Sequence, residues 1–175
     1  MPESYRKIRY NLQSIAFDPE KRSFGQTIDT FYNANEEGRS AKLPRVSPDG
    51  RFLMYTVSDY GNFSIWHKDA DLRLLDMLTG KTDSLLQVNS NDVESYHSWS
   101  SNSRWFDGLY TRPYICYLGA NGVPGKPFLL PQKETDYYER SLFSFNIPEF
   151  IRGKIKVDTY KLIDISKYGE AVRLK

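Results

Sequence analysis

The residues best suited to chemistry lie in the segment IWHKDAD, residues 65–71. One imidazole, His67, and two carboxylates, Asp69 and Asp71, fall within five residues, and together they could hold a divalent cation. A metal site normally gathers three or more ligands, and no further ligand is identified by the sequence. We therefore expect no metal site here. Trp66 is expected to pack over a sheet edge, and the carboxylates to accept hydrogen bonds from turn amides.

Few other residues could act as a nucleophile or a general base. The second histidine, His97, is expected to be a satisfied side chain near a strand. The single cysteine, Cys116, lies in an apolar run that favours an inert buried thiol. No G-x-S-x-G segment occurs, and the glycine-rich segment Gly119–Lys126 departs from the phosphate-binding order because a proline follows its lysine. We expect no catalytic residue and no cofactor.

The composition predicts one folded chain with much sheet. Of the 175 residues, 39% are apolar, 26% are charged and 15% are aromatic, and aromatic residues favour strands. A net charge of +2 is too small to indicate nucleic-acid binding. No apolar run is long enough to span a membrane. The basic stretch at residues 151–175 is interpreted as a solvated face rather than a binding patch.

Two similar segments predict an internal repeat. SPDGRFL begins at Ser47 and SSNSRWF begins at Ser100, 53 residues later. Hairpins are predicted with turns near Asp18–Lys21, Leu78–Lys81 and Gly119–Lys126, where turn-forming residues cluster. The four strands predicted for the best unit are Leu43–Ser47, Arg51–Val57, Leu72–Met77 and Thr82–Val88. Four short antiparallel strands per unit are typical of a β-propeller blade.

The second unit is shorter than the first. About one strand and its loop are expected to be absent near Phe106–Asp107, either through an internal deletion or because the sequence lacks a stretch of the natural chain. No long amphipathic helix is predicted. Glu134–Phe145 is the best candidate for a helix, although its aromatic residues suit extended structure equally well.

The segments SPDGRFLMYT and ADLRLLDMLTGKTDSLL resemble the TolB-like β-propeller repeat, a relative of WD repeats. HSWSSNSRWF is similar to a degraded copy without the Pro, Asp and Gly of the pattern. YGNFSIWHKDADL is similar to a long insert in TolB-like proteins of Bacteroidetes-type bacteria. The resemblance covers roughly residues 8–150, and it implies an all-β chain that forms a partial propeller of four-stranded antiparallel blades.

Function, location and domain organisation follow as expectations from this resemblance. It implies a non-enzymatic propeller of the cell envelope that binds a protein partner and is periplasmic or surface-exposed, although the polar first residues do not form a signal peptide. Residues 1–150 would hold a partial, a full and a shortened blade, and residues 151–175 a C-terminal extension. Propellers have four to eight blades. We therefore expect a C-terminal portion of a longer protein whose open blade edge could self-associate.

Loops at a propeller rim commonly bind partners, which defines a candidate rim surface. Its residues are Trp66, His67, Asp69, Asp71, Tyr96 and His97. Two alternatives stay open. The chain could be the non-catalytic propeller part of a larger enzyme, either a prolyl-oligopeptidase-type peptidase or a propeller lyase. It could also be a carbohydrate-binding propeller that uses rim aromatics such as Trp66, Tyr96 and Trp99.

Overall fold

Antiparallel strands form most of the regular structure, which confirms the expected all-β character. The computed structural model describes residues 3–108, 112–142, 145, 148–154 and 156–169. The strands among them are β1 (Leu12–Asp18), β2 (Ser23–Tyr32), β3 (Ser40–Val46), β4 (Phe52–Ser58), β5 (Asp71–Asp76), β6 (Lys81–Asp83), β7 (Ser98–Trp99), β8 (Trp105–Gly108), β9 (Tyr114–Tyr117) and β10 (Phe128–Leu129).

Helical segments are few and short. Two 3-10 helices cover Glu3–Lys7 and Ser64–Trp66, and the α-helices are α1 (Ala34–Glu37), α2 (Tyr137–Arg140) and α3 (Thr159–Tyr168). Among the described residues of the candidate helix Glu134–Phe145, only those of α2 are α-helical, and Phe143 and Ser144 lie outside the described residues. Across the described part of the chain, no helix is both long enough and apolar enough to cross a membrane.

The strands form three separate antiparallel sheets. β1 pairs only with β2, whereas β3–β6 and β7–β10 each form a four-stranded sheet with the strands in chain order. The second unit thus keeps four strands, and the expected loss of a strand is wrong. Phe106 and Asp107 are neighbours within β8 and pair with Cys116 and Ile115 of β9. The second unit is shorter because its strands are shorter: β8 has four residues, whereas the equivalent strand β4 has seven.

Strand β4 lies at the centre of the fold and is buried on both faces. Leu53, Tyr55 and Val57 pack in a cluster that also contains Leu12 and Tyr32 from the β1–β2 hairpin. On the opposite face, side chains of β4 and β5 meet those of β8 and β9. The members of that second cluster are Phe52, Met54, Leu72, Leu74, Leu85, Phe106, Cys116 and Leu118. The three sheets are therefore stacked, with the β3–β6 sheet in the middle.

The turn before β4 is held by the side chain of Ser47. The Ser47 hydroxyl accepts a hydrogen bond from Phe52 N at 2.9 Å and donates to Asp49 Oδ1 at 2.6 Å. Asp49 Oδ1 also accepts from Arg51 N at 3.1 Å. Gly50 has a φ of 75°, a conformation that favours glycine. The short Ser-Pro-Asp-Gly sequence thus closes a tight turn that starts the central strand.

The turn before β8 repeats this arrangement without Pro, Asp or Gly. The Ser100 hydroxyl accepts from Trp105 N at 2.9 Å and donates to Asn102 Oδ1 at 2.7 Å. Asn102 Oδ1 accepts from Arg104 N at 3.1 Å. Ser103 takes the glycine position with a φ of 57°, and its hydroxyl accepts a hydrogen bond from the backbone N–H of Asp49 at 3.0 Å. The predicted repeat is therefore present in the backbone geometry, and the two turns are in contact.

The three predicted hairpin turns are present, but two predicted strands have clearly different bounds, because β3 begins at Ser40 rather than Leu43 and the last strand of the unit ends early. The chain turns between β1 and β2, between β5 and β6, and between β9 and β10. The strand expected over Thr82–Val88 ends at Asp83, because Asp83 Oδ1 caps the N–H of Leu85 at 2.7 Å. Leu85 has a φ of 52° and places its side chain in the second core cluster. The chain therefore leaves the strand after Asp83, and the side chain of Leu85 is buried in the core instead of continuing the predicted strand.

Candidate functional site

The IWHKDAD segment is fixed by Arg39, a residue that sequence analysis did not identify. The Arg39 guanidinium lies 3.6 Å from an Asp59 carboxylate oxygen, 3.6 Å from Asp69 Oδ2 and 3.4 Å from Asp71 Oδ2. It also donates a hydrogen bond to the backbone carbonyl of Asp69. Asp69 Oδ2 in turn accepts from Asp59 N at 2.6 Å. Asp69 and Asp71, the two carboxylates that could have bound a cation, therefore stabilise the loop instead: both contact Arg39, and Asp69 also accepts a hydrogen bond from a turn amide.

His67 is buried within the same loop rather than presented at its surface. Its ring lies against Tyr60, with the ring centroids 3.9 Å apart. Burial lowers the pKa of His67, although Asp69 opposes this effect. Within the ranges that the structure describes, no group of three or more His, Cys, Asp or Glu side chains is arranged to hold a metal ion.

The candidate rim residues are not brought together at one surface. Trp66 is 69% exposed at the end of its 3-10 helix, whereas Asp69, Asp71 and Tyr96 are half-buried. His97 is fully buried, and its Nε2 lies 3.0 Å from the carbonyl oxygen of Met54 in β4. The placement of His97 at a rim is therefore wrong, because its ring packs between the two four-stranded sheets.

The aromatic set proposed for carbohydrate binding is also divided. Trp99 stacks on Phe52 and contacts Phe106 edge-on, so its ring belongs to the second core cluster. Its Nε1 donates to the carbonyl oxygen of Arg45 at 3.0 Å. Trp66 is consequently the only one of the three proposed aromatics that is mostly exposed.

A second candidate site is a cavity of about 510 Å³ between the two four-stranded sheets. Leu72 of β5 and Phe106 and Cys116 of the neighbouring sheet form its apolar wall. Glu94 and Arg112 are among its polar lining residues. Because both sheets contribute to the wall, the cavity depends on the way in which the two repeat units stack.

Glu94 is the most unusual residue of this cavity. It is only 3% exposed, and its Oε1 accepts hydrogen bonds from Ser90 N at 3.0 Å and from Ser90 Oγ at 2.5 Å. Its Oε2 is buried and has no hydrogen-bond partner. Burial raises the pKa of Glu94, and the negative charges of Asp71 and Asp92 raise it further. An uncompensated carboxylate in such a position is costly, so burial favours the protonated, uncharged form of Glu94.

Comparison with known proteins does not identify this arrangement. No protein-family model matches the chain, and no protein of curated function matches it significantly. The cavity also lacks a local sequence pattern, because its walls come from separate strands and Glu94 lies in the irregular segment before β7. The function is therefore inferred from the geometry of the chain itself.

Proposed function

We propose that this chain is a non-enzymatic protein-interaction module, part of a TolB-like β-propeller of the bacterial cell envelope. The observation that supports it most strongly is the repeat itself. Ser47 and Ser100 open equivalent turns, and each turn leads into the second strand of a four-stranded antiparallel sheet. Propeller blades are sheets of this kind, placed beside one another. The burial of β4 on both faces agrees with a blade that has a neighbour on each side.

The groups that could react are engaged in holding the fold, which supports binding rather than catalysis. Asp69 and Asp71 contact Arg39, and the His97 ring contacts a carbonyl oxygen in the core. Burial raises the pKa of the Cys116 thiol to about 11, so this side chain stays protonated and unreactive near neutral pH.

The loop between β4 and β5 supplies the proposed contact surface. Trp66 is exposed, yet its backbone is fixed by hydrogen bonds from Trp66 N to Phe63 O and from His67 N to Ser64 O, both at 3.0 Å. The Arg39 contacts hold the following residues of the loop. Tryptophan on a rigid support is typical of interaction hot spots, because little side-chain entropy is lost on binding. Trp66 is therefore the proposed anchor residue.

Site-specific photo-crosslinking in the native host tests this function. A photoreactive phenylalanine replaces Trp66 in one variant and Leu78, which is 78% exposed on the β5–β6 turn, in a matched control. We expect discrete protein adducts from position 66 that are absent from position 78. Equal adduct patterns from both positions, or no adduct from position 66, would contradict the proposed surface.

A further inference from the structure

The β1–β2 hairpin is half of a sheet, and one edge of β1 lacks the neighbour that corresponding strands have. The hairpins β5–β6 and β9–β10 are the last two strands of their sheets, so β5 and β9 are paired on both edges. Among the described residues, β1 pairs with β2 alone. We propose that the open edge of β1 pairs with the same edge in a second copy of the chain. The two hairpins then form one four-stranded antiparallel sheet, which is distinct from the sheet whose loop carries Trp66.

The edge of β1 has none of the features that keep exposed strands from pairing. Natural edge strands are protected by lysine, by proline or by being very short. β3 contains Lys42, Pro44 and Arg45, β6 has three residues, and β7 and β10 have two each. β1 has seven residues without Lys, Arg or Pro, and its only charged residue is Asp18 at its end. About half of its backbone N–H and C=O groups point away from β2 and are available to another strand.

The other strand of the hairpin, β2, is less suited to further pairing. Its counterparts β6 and β10 end their sheets, so an open edge is the normal state of a strand in this position. β2 also contains Gly25 and Asp29 in its interior, whereas residues 13–17 of β1 include neither a glycine nor a charged residue. Glycine and aspartate both weaken strands. The edge of β1 is therefore the incomplete one.

A second copy fits this edge because antiparallel pairing of a strand with itself is two-fold symmetric. The same surface then serves on both sides, as in most homodimers. Ile15 is the middle residue of β1, and an axis at this residue gives the longest overlap of the two strands. Ser14 of each copy then lies opposite Ala16 of the other. Because residues 13–17 carry no charge, no like charges are brought together across the axis.

Pairing through β1 also joins two exposed apolar faces. Ile15 pairs with Ile28 and Phe17 pairs with Phe24, and these four side chains are between 42% and 68% exposed. In the proposed sheet the two copies of Ile15 become neighbours, with Cα atoms about 5 Å apart, so the apolar face continues from one copy to the other. An isolated two-stranded hairpin is marginally stable in water, whereas three or more strands with an apolar face are stable. Pairing therefore stabilises the exposed hairpin of each copy.

Two charge variants of β1 test this pairing on the full chain. In Ser14→Lys/Ala16→Lys, each lysine faces a lysine of the other copy, whereas in Ser14→Lys/Ala16→Glu each lysine faces a glutamate. Sedimentation equilibrium gives the dimer dissociation constant of each variant and of the wild type. We expect the wild type to approach about twice the 20.4 kDa of one chain. The Lys/Lys variant should dimerise at least about tenfold more weakly than the Lys/Glu variant.

Thr27→Lys, at an exposed position of β2, distinguishes the edge of β1 from that of β2. This variant should leave the dissociation constant unchanged, because β2 lies one strand away from the new pair. A monomeric wild type, equal dissociation constants for the two β1 variants, or a weaker dimer of Thr27→Lys would overturn the proposal. If the Lys/Lys variant does not fold, the Lys/Glu variant decides, since it should dimerise at least as tightly as the wild type. A monomeric Lys/Glu variant would also refute the pairing.

Discussion

His97 and Asp107 are two buried groups whose protonation should affect stability in opposite directions. The carbonyl of Met54 can only accept, so Nε2 of His97 carries the proton, while the buried Nδ1 has no partner. Burial lowers the pKa of His97 to about 4. Asp107 accepts from Ser98 N at 2.8 Å and from Ser98 Oγ at 2.7 Å, and burial nevertheless raises its pKa to about 6.

The stability contributions of these residues should vary in opposite directions between pH 4 and 6. His97 has an unfolded pKa of 6.5, so its contribution is complete above that value and is lost as pH falls towards 4. Asp107 has an unfolded pKa of 3.8, so its contribution is complete below that value and is lost as pH rises through 6. Each shift corresponds to roughly 3 kcal/mol in total, and the two largely offset each other in the wild type.

Urea unfolding of Asp107→Asn and His97→Gln between pH 4 and 7 measures these contributions. The free energy of unfolding of the wild type, minus that of Asp107→Asn, should fall as pH rises. The free energy of unfolding of the wild type, minus that of His97→Gln, should increase as pH rises. Differences that stay constant with pH would show that neither residue titrates as its burial requires.

At the residue scale, local roles could be predicted from the sequence, but the cavity could not. The burial of Cys116 and the position of His97 beside a strand follow from short apolar or strand-like surroundings, but the expected satisfied histidine is only half correct, because Nε2 has a partner and the buried Nδ1 has none. Arg39 and Glu94 were missed because their roles depend on contacts with residues far away in the sequence. Charged residues in irregular segments resemble solvated surface residues until the fold places them between sheets.

At the element scale, the second repeat keeps its turn although half of the sequence pattern is lost. Asn102 replaces the acceptor oxygen of Asp49, and Ser103 adopts the positive φ of Gly50. These substitutions preserve the hydrogen bonds that define the turn, so the alignment of Ser47 with Ser100 was informative. Strand lengths were harder to predict, because the end of β6 and the shortness of β8 depend on packing between sheets.

Replacing either serine by alanine should destabilise the chain to a similar extent. Ser47→Ala and Ser100→Ala each leave the first N–H of the following strand, that of Phe52 or Trp105, without its side-chain acceptor. Loss of a partner for a buried donor costs about 1–3 kcal/mol. Chemical denaturation of both variants measures this loss, and Ser101→Ala, an exposed position of the same turn, is the control. A Ser100→Ala variant as stable as Ser101→Ala would show that the second turn is not equivalent.

At the scale of the whole molecule, the outer faces of the stack carry exposed aromatic and aliphatic side chains. On the β1–β2 hairpin, Ile15 pairs with Ile28 and Phe17 pairs with Phe24, and all four are exposed. On the other side of the stack, Trp105 contacts Tyr117 and Phe128. Two neighbouring aromatic residues do not belong to this outer face, because Phe106 points into the core and Tyr114 lines the cavity.

These exposed faces predict that the 175-residue chain self-associates in solution. Burial of apolar surface contributes about 25 cal/mol per Å², and a contiguous exposed apolar patch favours association between copies. Size-exclusion chromatography with light scattering should therefore give a mass above the 20.4 kDa of one chain. The double variant Phe17→Ser/Phe24→Ser should shift the mass towards that of the monomer.

A control on a different exposed surface shows whether association depends on the hairpin face or on exposed apolar side chains in general. Leu78 and Leu86 are 78% and 85% exposed but lie outside the hairpin, so Leu78→Ser/Leu86→Ser should leave the mass of the assembly unchanged. The hairpin pair differs because Phe17 and Phe24 contact each other at a ring-centroid distance of 5.1 Å and continue the face formed by Ile15 and Ile28. A monomeric wild type, or equal effects of the two double variants, would show that the hairpin face does not drive association.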